Sequence, residues 1–185
     1  EIAEPLGLDF WIGLPEEHEP RVAPVWLAPP APGTPLGEFT QAMLTQPQSL
    51  QALSLLNLGG FDPNSRACHA AQIGGAGGIT NARGLAGMFA PVANGGTLRG
   101  TRLVGTDTLA RMGRVSMASH DKVTLLVPTR FALGYMKATD NRKVLNVVNS
   151  SCVMSEAAFG HVGAGGSLGF ADPECRLSFG YAMNR

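Results

Sequence analysis

The chain has 185 residues, of which 44% are hydrophobic and 15% are charged, and its formal net charge is zero. This composition is typical of one globular domain with a real core and excludes a disordered chain. Balanced charge without a Lys/Arg cluster gives no reason to expect a nucleic-acid partner, and no apolar stretch approaches the ~20 residues that span a membrane.

The residues that most often bind metals are few and scattered. The three cysteines are Cys68, Cys152 and Cys175, and the four histidines are His18, His69, His120 and His161. No CxxC pair and no histidine spacing typical of a metal site occurs, so we expect neither a metal nor a cofactor. Three cysteines are too few for a disulfide scaffold, which favours a reducing, cytoplasmic compartment.

The first 37 residues predict little regular structure. Residues 1–8 are typical of the tail of a helix that Pro5 stops. Residues 9–37 are rich in proline and lack periodicity, so we expect an extended surface loop. We expect three aromatic side chains to anchor this loop on the body of the protein: Phe10, Trp11 and Trp26.

Helical patterns follow. Residues 38–57 predict two short helices with a break near Pro47. Thr80 can cap a helix that ends at 94–96, where the sequence Asn-Gly-Gly closes it. A further helix is predicted from Thr106 or Asp107 to about residue 117.

The remainder of the chain predicts strands. They are expected at 123–127, 131–136, 144–148, 159–169 and 177–183, and the short link at 172–174 suits a hairpin between the last two. Helices followed by an antiparallel run indicate an α+β fold. We therefore expect one partial domain over 1–185, with loops and helices in 1–122 and the antiparallel strands of the main sheet in 123–185. Both ends fall inside predicted elements, which indicates an interior piece of a longer protein or one member of a split pair.

Three local motif matches lack the context that their chemistry needs. The glycine-rich loop at 73–79 precedes a helix but has no Gly-Lys-Ser/Thr ending, so close packing is favoured over phosphate binding. Residues 165–169 match GxSxG, but no histidine follows Ser167 and a turn is predicted after it, which disfavours a nucleophile elbow. Residues 119–122 match SxxK at the end of a predicted helix rather than at its start, which favours a solvated connection.

Residues 159–167 carry the most informative pattern of the chain: an apolar run, His161, and then a glycine-dense stretch. A polar side chain on a glycine-flanked strand can point into a cleft, and a nearby backbone N–H can stabilise an oxyanion. A structural histidine in a glycine-rich hairpin is the alternative, and the pattern alone leaves both open.

Four segments, in this order, resemble the serine β-lactamase-like superfamily, which comprises class C β-lactamases, DD-peptidases and, most closely, the family VIII carboxylesterases. Residues 2–8 (IAEPLGL) resemble the family's PLGM stretch, and residues 74–86 (GGAGGITNARGLA) resemble its GGxxSxxxLA region. Residues 131–135 (FALGY) resemble its xGLGW strand. Residues 159–167 (FGHVGAGGS) resemble its third active-site motif, which is KTG in β-lactamases and HxG or WxG in the esterases.

The resemblance implies a role for each residue of the third motif. His161 takes the position of the lysine, Val162 that of the threonine and Gly163 that of the glycine. Ala164 would offer its backbone N–H to the oxyanion hole. We expect His161, Gly163 and Ala164 to serve catalysis, and Val162 and Trp11 to contact the substrate. The resemblance also implies the β-lactamase/transpeptidase-like fold, an antiparallel sheet with flanking helices that this chain leaves incomplete at both ends.

The resemblance further implies hydrolysis of a small-molecule ester or lactam through an acyl-serine intermediate. The nucleophilic serine and lysine of SxxK and the tyrosine of YxN have no match here, so we expect them on an N-terminal segment of the same protein. We expect this chain alone to be inactive. Histidine at 161 lacks the fixed positive charge of lysine, which favours an esterase over a strong β-lactamase. The alternatives are a non-catalytic binding or assembly protein that keeps the fold, and a self-contained hydrolase that uses Ser167.

Overall fold

A computed structural model describes residues 2–26, 31–123, 126–144 and 151–184. Its α-helices are Glu38–Thr45 (α1), Leu50–Leu56 (α2), Arg66–Ala70 (α3), Ala82–Ala93 (α4) and Thr106–Gly113 (α5). Its strands are Phe10–Ile12 (β1), Gly78–Thr80 (β2), Thr97–Leu98 (β3), Thr101–Arg102 (β4), Met117–His120 (β5), Pro128–Phe131 (β6), Met136–Lys137 (β7), Phe159–Val162 (β8), Leu168–Asp172 (β9) and Leu177–Tyr181 (β10). A 3₁₀ helix spans Glu16–Arg21.

Six of these strands form the main sheet, in the order β10-β9-β8-β7-β6-β5, and every neighbouring pair is antiparallel. β8 lies inside the sheet between β7 and β9. Its register places His161 opposite Gly169 and Phe159 opposite Ala171. Two smaller antiparallel pairs, β1 with β2 and β3 with β4, stand beside the sheet. Helices flank an antiparallel sheet, as the α+β prediction requires.

Helix α4 packs on the sheet where glycines leave room for it. A Cβ atom on Gly180 would overlap the Ala82 carbonyl oxygen of the helix, and one on Gly169 would lie 2.5 Å from the Phe89 ring. The sequence pattern attributed the glycines of 159–169 to close approach of a backbone or a ligand. At Gly169 the groups that approach are the Phe89 and Leu85 side chains of helix α4, neither a backbone nor a ligand.

A hydrophobic core forms between this helix and the middle of the sheet. Val92 and Ala93 of α4 pack with the fully buried Phe159 of β8 and Ala171 of β9. Tyr135 lies edge-on to Phe159, with ring centroids 5.3 Å apart. Burial of Phe159 therefore fixes the root of the strand that carries His161 two residues later.

The predicted helices are largely confirmed, with two corrections at their ends. α1 and α2 occupy 38–56 with the break at Pro47. The cap of α4 is Asn81 rather than Thr80, since the Asn81 side chain accepts from the Gly84 N–H at 2.9 Å. Thr80 is engaged elsewhere, because its hydroxyl donates to the Asp9 carbonyl at 2.7 Å.

The first 26 residues differ from their predictions. Residues 3–7 form turns rather than a helix tail, with Gly7 at φ +64°. The predicted loop 9–37 contains β1 and the 3₁₀ helix, because β1 finds a partner in β2, nearly 70 residues further along the chain. Phe10 and Trp11 are partly buried as expected, but the side chain of Trp26 is 65% exposed and anchors nothing.

Tight turns cut the predicted strands into shorter ones. The helix predicted to reach 117 ends at Gly113, which lies against the Phe159 ring, and β5 follows. The predicted strand 123–127 is not a strand in its described residues, which link β5 to β6; residues 124 and 125 lie outside the description. The predicted strand 131–136 breaks at a turn with Gly134 at φ +77°.

The end of the chain also folds into shorter strands than predicted. The predicted strand 159–169 is the hairpin of β8 and β9, and 177–183 shortens to β10. Of the predicted strand 144–148, only Val144 is described, and it lies in a bend. The hairpin between β9 and β10 is confirmed.

Candidate active site

The third-motif residues occupy the end of β8 and the turn that follows it. His161 and Val162 are the last residues of β8, and Gly163 and Ala164 begin the turn into β9. The Gly163 N–H donates to the Ser167 carbonyl at 2.6 Å, and the Gly166 N–H donates to the Gly163 carbonyl at 3.0 Å. Gly166 has φ +102°, a conformation that side-chain-bearing residues rarely adopt. The turn is therefore held by its own backbone hydrogen bonds.

Ala164 and Gly165 continue this turn, and both are exposed. Neither N–H makes a hydrogen bond to any residue that the structure describes. The neighbouring Gly163 N–H, in contrast, is used to close the turn. A fixed, unpaired N–H on a hydrogen-bonded turn is the kind of donor that stabilises an oxyanion.

His161 is exposed at the end of β8. Its Nδ1 lies 2.7 Å from the Val162 carbonyl oxygen, which can only accept, so Nδ1 carries the hydrogen and donates it. The Phe131 ring flanks the imidazole with centroids 6.1 Å apart. Within the described ranges Nε2 has no hydrogen-bond partner, so this nitrogen is left to meet a substrate or another part of the protein.

A cavity of about 630 Å³ touches this turn at Ser167, whereas His161, Val162, Gly163 and Ala164 do not line it. Ser167 brings the β8–β9 turn into its wall, and residues 182–184, which follow β10, line it beside Ser167. Strand β2 lines it as well, together with Arg21, Val22, Ala23 and Val25. The volume falls in the range of small-molecule sites in proteins.

Trp11 lies apart from the third motif, in the two-stranded sheet of β1 and β2. It stacks on His18 with ring centroids 4.7 Å apart and an interplanar angle of 6°. Both rings line a second cavity of about 100 Å³. This small cavity shares several wall residues with the larger one: Arg21, Val22, Ile79, Thr80 and Asn81. Trp11 thus lines a separate small cavity next to the one that Ser167 borders, here called the side chamber.

The two serine motifs do not have catalytic contexts. Ser167 precedes strand β9 rather than a helix, and no hydrogen bond joins its hydroxyl to a histidine in the described part of the chain. Ser119 was expected at the end of a helix but lies in β5, paired with Thr129. Its hydroxyl donates to the Met117 sulfur at 3.0 Å. A strand cannot bring Lys122 one turn above the Ser119 hydroxyl, as SxxK chemistry requires.

A polar cluster around the buried His69 was not predicted from the sequence. Its ring is 7% exposed, with Nδ1 2.7 Å from the Glu19 carboxylate and Nε2 2.8 Å from the Pro63 carbonyl. Arg66 contacts the same carboxylate at 3.3 Å and donates to the Leu14 carbonyl at 2.8 Å. Glu19 lies about 50 residues before His69 and Arg66 in the chain, so no local sequence pattern indicates these contacts.

Buried polar groups hold the segment that leads into β8. The Lys137 ammonium donates to the Glu156 carbonyl at 2.7 Å, and burial lowers the pKa of Lys137. The Ser155 hydroxyl donates to the Asp172 carboxylate at 2.7 Å, and this hydrogen bond lowers the pKa of Asp172. Both contacts fix residues 155–157 immediately before the strand that carries His161.

The sequence as a whole matches a known family. A family model described as beta-lactamase matches residues 1–185. The chain belongs to the beta-lactamase family. The resemblance read from the four segments is therefore confirmed. No helix in the ranges given above combines the length and the apolar character needed to cross a membrane.

Individual relatives of this beta-lactamase family member include esterases. It is 36% identical over 115 residues to "Esterase/beta-lactamase LipL" of Mycobacterium tuberculosis, an alignment that covers 62% of this chain and 24% of the relative. A solved family VIII carboxylesterase is 32% identical with a TM-score of 0.72, and a novel penicillin-binding protein homologue from Caulobacter crescentus is 31% identical with a TM-score of 0.73. Each alignment covers all of this chain and 44% of the solved one. The fold is thus that of the β-lactamase and penicillin-binding proteins, and the chain spans less than half of these solved structures.

Proposed function

We propose that this chain forms the oxyanion-hole wall of a serine hydrolase that cleaves small esters through an acyl-serine intermediate. The observation that carries the proposal is the unpaired Ala164 N–H on a hydrogen-bonded turn whose last residue, Ser167, lines a cavity of about 630 Å³. Support comes from the family and from similarity to a carboxylesterase and to an esterase/beta-lactamase. The proposal places the nucleophilic serine, its lysine and the tyrosine on a segment of the same protein outside residues 1–185.

The proposed reaction assigns the chemistry to two parts of the protein. The serine oxygen attacks the ester carbonyl carbon, and its proton passes to the lysine and tyrosine. The carbonyl oxygen becomes an oxyanion, which accepts from the Ala164 N–H and from the N–H of the serine itself. The bond to the alkoxy group then breaks and the alcohol leaves with a proton. Water hydrolyses the acyl-serine by the same route.

The other third-motif residues orient the ester in this proposal. The Nε2 of His161 faces outward because Nδ1 is tied to the Val162 carbonyl, so it can hydrogen-bond the bound substrate. Gly163 closes the turn through its own N–H, which keeps the Ala164 N–H in place. The partly buried Val162 supplies an apolar contact to the substrate.

Trp11 shapes the acyl pocket in the same proposal. Its indole lines the side chamber that shares walls with the larger cavity. Trp11→Ala in the full-length protein is expected to change the preference among esters of different acyl length. An unchanged preference would remove Trp11 from the site.

The test of the central role uses a matched pair of substitutions at Ala164 in the full-length protein. Ala164→Pro removes the N–H, whereas Ala164→Gly keeps it. Loss of one oxyanion donor is expected to lower kcat for p-nitrophenyl acetate by about 10²- to 10³-fold, with little change in KM. Ala164→Gly is expected to stay close to the unaltered enzyme.

Two outcomes would overturn this assignment. Equal losses in Ala164→Pro and Ala164→Gly would mean that the turn matters for its shape and not for its N–H. Full activity of a folded Ala164→Pro protein would place the oxyanion donor elsewhere. Circular dichroism of both variants separates these results from a failure to fold.

A further inference from the structure

Residues 22–26, here called the strap, cross one wall of the larger cavity without belonging to a sheet. The side chain of Asn64 forms two hydrogen bonds with the backbone of the strap, in the manner of a neighbouring β-strand. Its side-chain oxygen accepts from the Val25 N–H at 2.7 Å, and its side-chain nitrogen donates to the Val25 carbonyl at 2.9 Å. One amide side chain therefore satisfies both backbone groups of Val25.

A second asparagine fastens the strap from the other side. The Trp26 N–H donates to the Asn184 carbonyl at 2.7 Å, and the Asn184 side chain donates to the Pro24 carbonyl at 3.1 Å. Asn184 follows β10, so the strap is joined to the end of the main sheet. Three parts of the chain that are far apart in sequence meet at this point.

Hydrogen bonds rather than apolar burial hold the strap. Val25 is 37% exposed and Trp26 is 65% exposed, so their burial contributes little. The strap follows the 3₁₀ helix, and the contact of Glu19 in that helix with His69 ties the helix to α3. A segment held by a few directional contacts moves when one of them is lost.

The strap has apolar side chains on the cavity wall. Val22, Ala23 and Val25 line the cavity, as do Ser167 of the β8–β9 turn and Met183. The position of the strap therefore sets the width of the space next to Ser167, at the end of the turn that carries Ala164.

We propose that Asn64 is a positioning residue that fixes the strap and thereby limits the length of the acyl group that the site accepts. This inference rests on the proposed ester hydrolysis. Loss of Asn64 frees Val25 and the strap, the cavity widens, and longer acyl chains enter more readily. Asn64 does not touch the reacting atoms.

The experiment compares Asn64→Ala with Asn57→Ala in the full-length protein. Asn57 is an exposed asparagine at the end of α2 and serves as the matched control. p-Nitrophenyl acetate, butyrate and octanoate keep the alcohol constant and vary the acyl chain. The octanoate-to-acetate ratio of kcat/KM is expected to rise roughly tenfold in Asn64→Ala through a lower KM for octanoate, with kcat for acetate unchanged. Asn57→Ala is expected to leave the ratio unchanged.

Amide hydrogen exchange supplies a readout that needs no activity. The Val25 and Trp26 amides are expected to exchange slowly in the unaltered protein and in Asn57→Ala, and fast in Asn64→Ala. Unchanged exchange would overturn the fastening by Asn64. Fast exchange with an unchanged ratio would overturn the control of acyl length. An unaltered protein that hydrolyses none of the esters would refute the proposed function, and the specificity inference with it, while the exchange result would still report separately on the fastening.

Discussion

Packing of helix α4 on the glycines of β9 and β10 makes a quantitative prediction about stability. Gly180 and Gly169 are partners across these strands, and both face the helix. They differ in what an added methyl group would meet. At Gly180 it would meet helix backbone at Ala82 and Ala86, whereas at Gly169 it would meet the side chains of Phe89 and Leu85.

The cost of Gly180→Ala follows from these distances. Real Cβ atoms essentially never come closer than 3.0 Å to another heavy atom, and the Ala86 nitrogen lies 2.5 Å from the Gly180 Cβ position, so the helix must retreat by about half an ångström. A gap of about 0.5–1 Å forfeits a quarter to a half of the dispersion energy of each affected contact. We expect Gly180→Ala to lower the free energy of unfolding by about 2–3 kcal/mol.

Gly169→Ala is expected to cost less, because side chains can rotate away where a helix backbone cannot. Its expected cost is about 1 kcal/mol. Gly75→Ala is the control, because nothing lies within 4 Å of its Cβ position and its φ is ordinary. Its free energy of unfolding is expected to stay within about 0.5 kcal/mol of the unaltered value.

Urea unfolding of the three variants in the full-length protein measures these differences, provided that each curve shows a single transition. The order of the costs is the decisive result. A Gly180→Ala protein as stable as the Gly75→Ala control, or a Gly169→Ala protein less stable than Gly180→Ala, would refute the account of how the helix packs.

Three further predictions concern single groups. Asn81→Ala removes the cap of α4 that binds the Gly84 N–H and is expected to cost about 1 kcal/mol in urea unfolding; no loss would contradict this cap. The hydrogen bond from the Ser155 hydroxyl lowers the pKa of Asp172 below the ordinary 3.8. The ionised Asp172 therefore stabilises the fold fully above pH 3.8, and this stabilisation is lost as the pH falls through the folded pKa. The stability gap between the unaltered protein and Asp172→Asn should therefore shrink in acid, and a gap constant from neutral to acid pH would be inconsistent with this. His161→Lys adds a fixed positive charge at the third motif. It is expected to lower KM for a carboxylate-bearing β-lactam relative to KM for p-nitrophenyl acetate. Unchanged KM values would contradict this prediction.

The parts of the fold that local patterns encode could be predicted from the sequence. The break at Pro47 and the hairpin between β9 and β10 rest on turn residues and periodicity within a few positions, and both are confirmed. The pairing of β1 with β2 could not be predicted, because its partners lie far apart in the chain and neither strand exceeds three residues. Short strands carry too little alternation to be recognised.

In the candidate site, too, contiguous motifs could be predicted from the sequence and contacts between distant residues could not. The third motif is contiguous, so His161 and Ala164 could be singled out from residues 159–167 alone. The prediction of one long strand over 159–169 is wrong, because the glycine-rich sequence does not indicate that the chain turns at Gly166. The contact of His69 with Glu19 and the contact of Asn64 with Val25 join residues 39 to 50 positions apart. Only a folded chain brings such pairs together.

The most direct test of the central proposal is to map where a fluorophosphonate reacts. The full-length protein is treated with the probe, digested, and its peptides are analysed by mass spectrometry. We expect one adduct, on a serine outside residues 1–185, with loss of ester hydrolysis and no adduct at Ser167. An adduct at Ser167, or no adduct together with no ester hydrolysis, would contradict the proposal that this chain supplies the oxyanion wall to a nucleophile carried elsewhere in the protein.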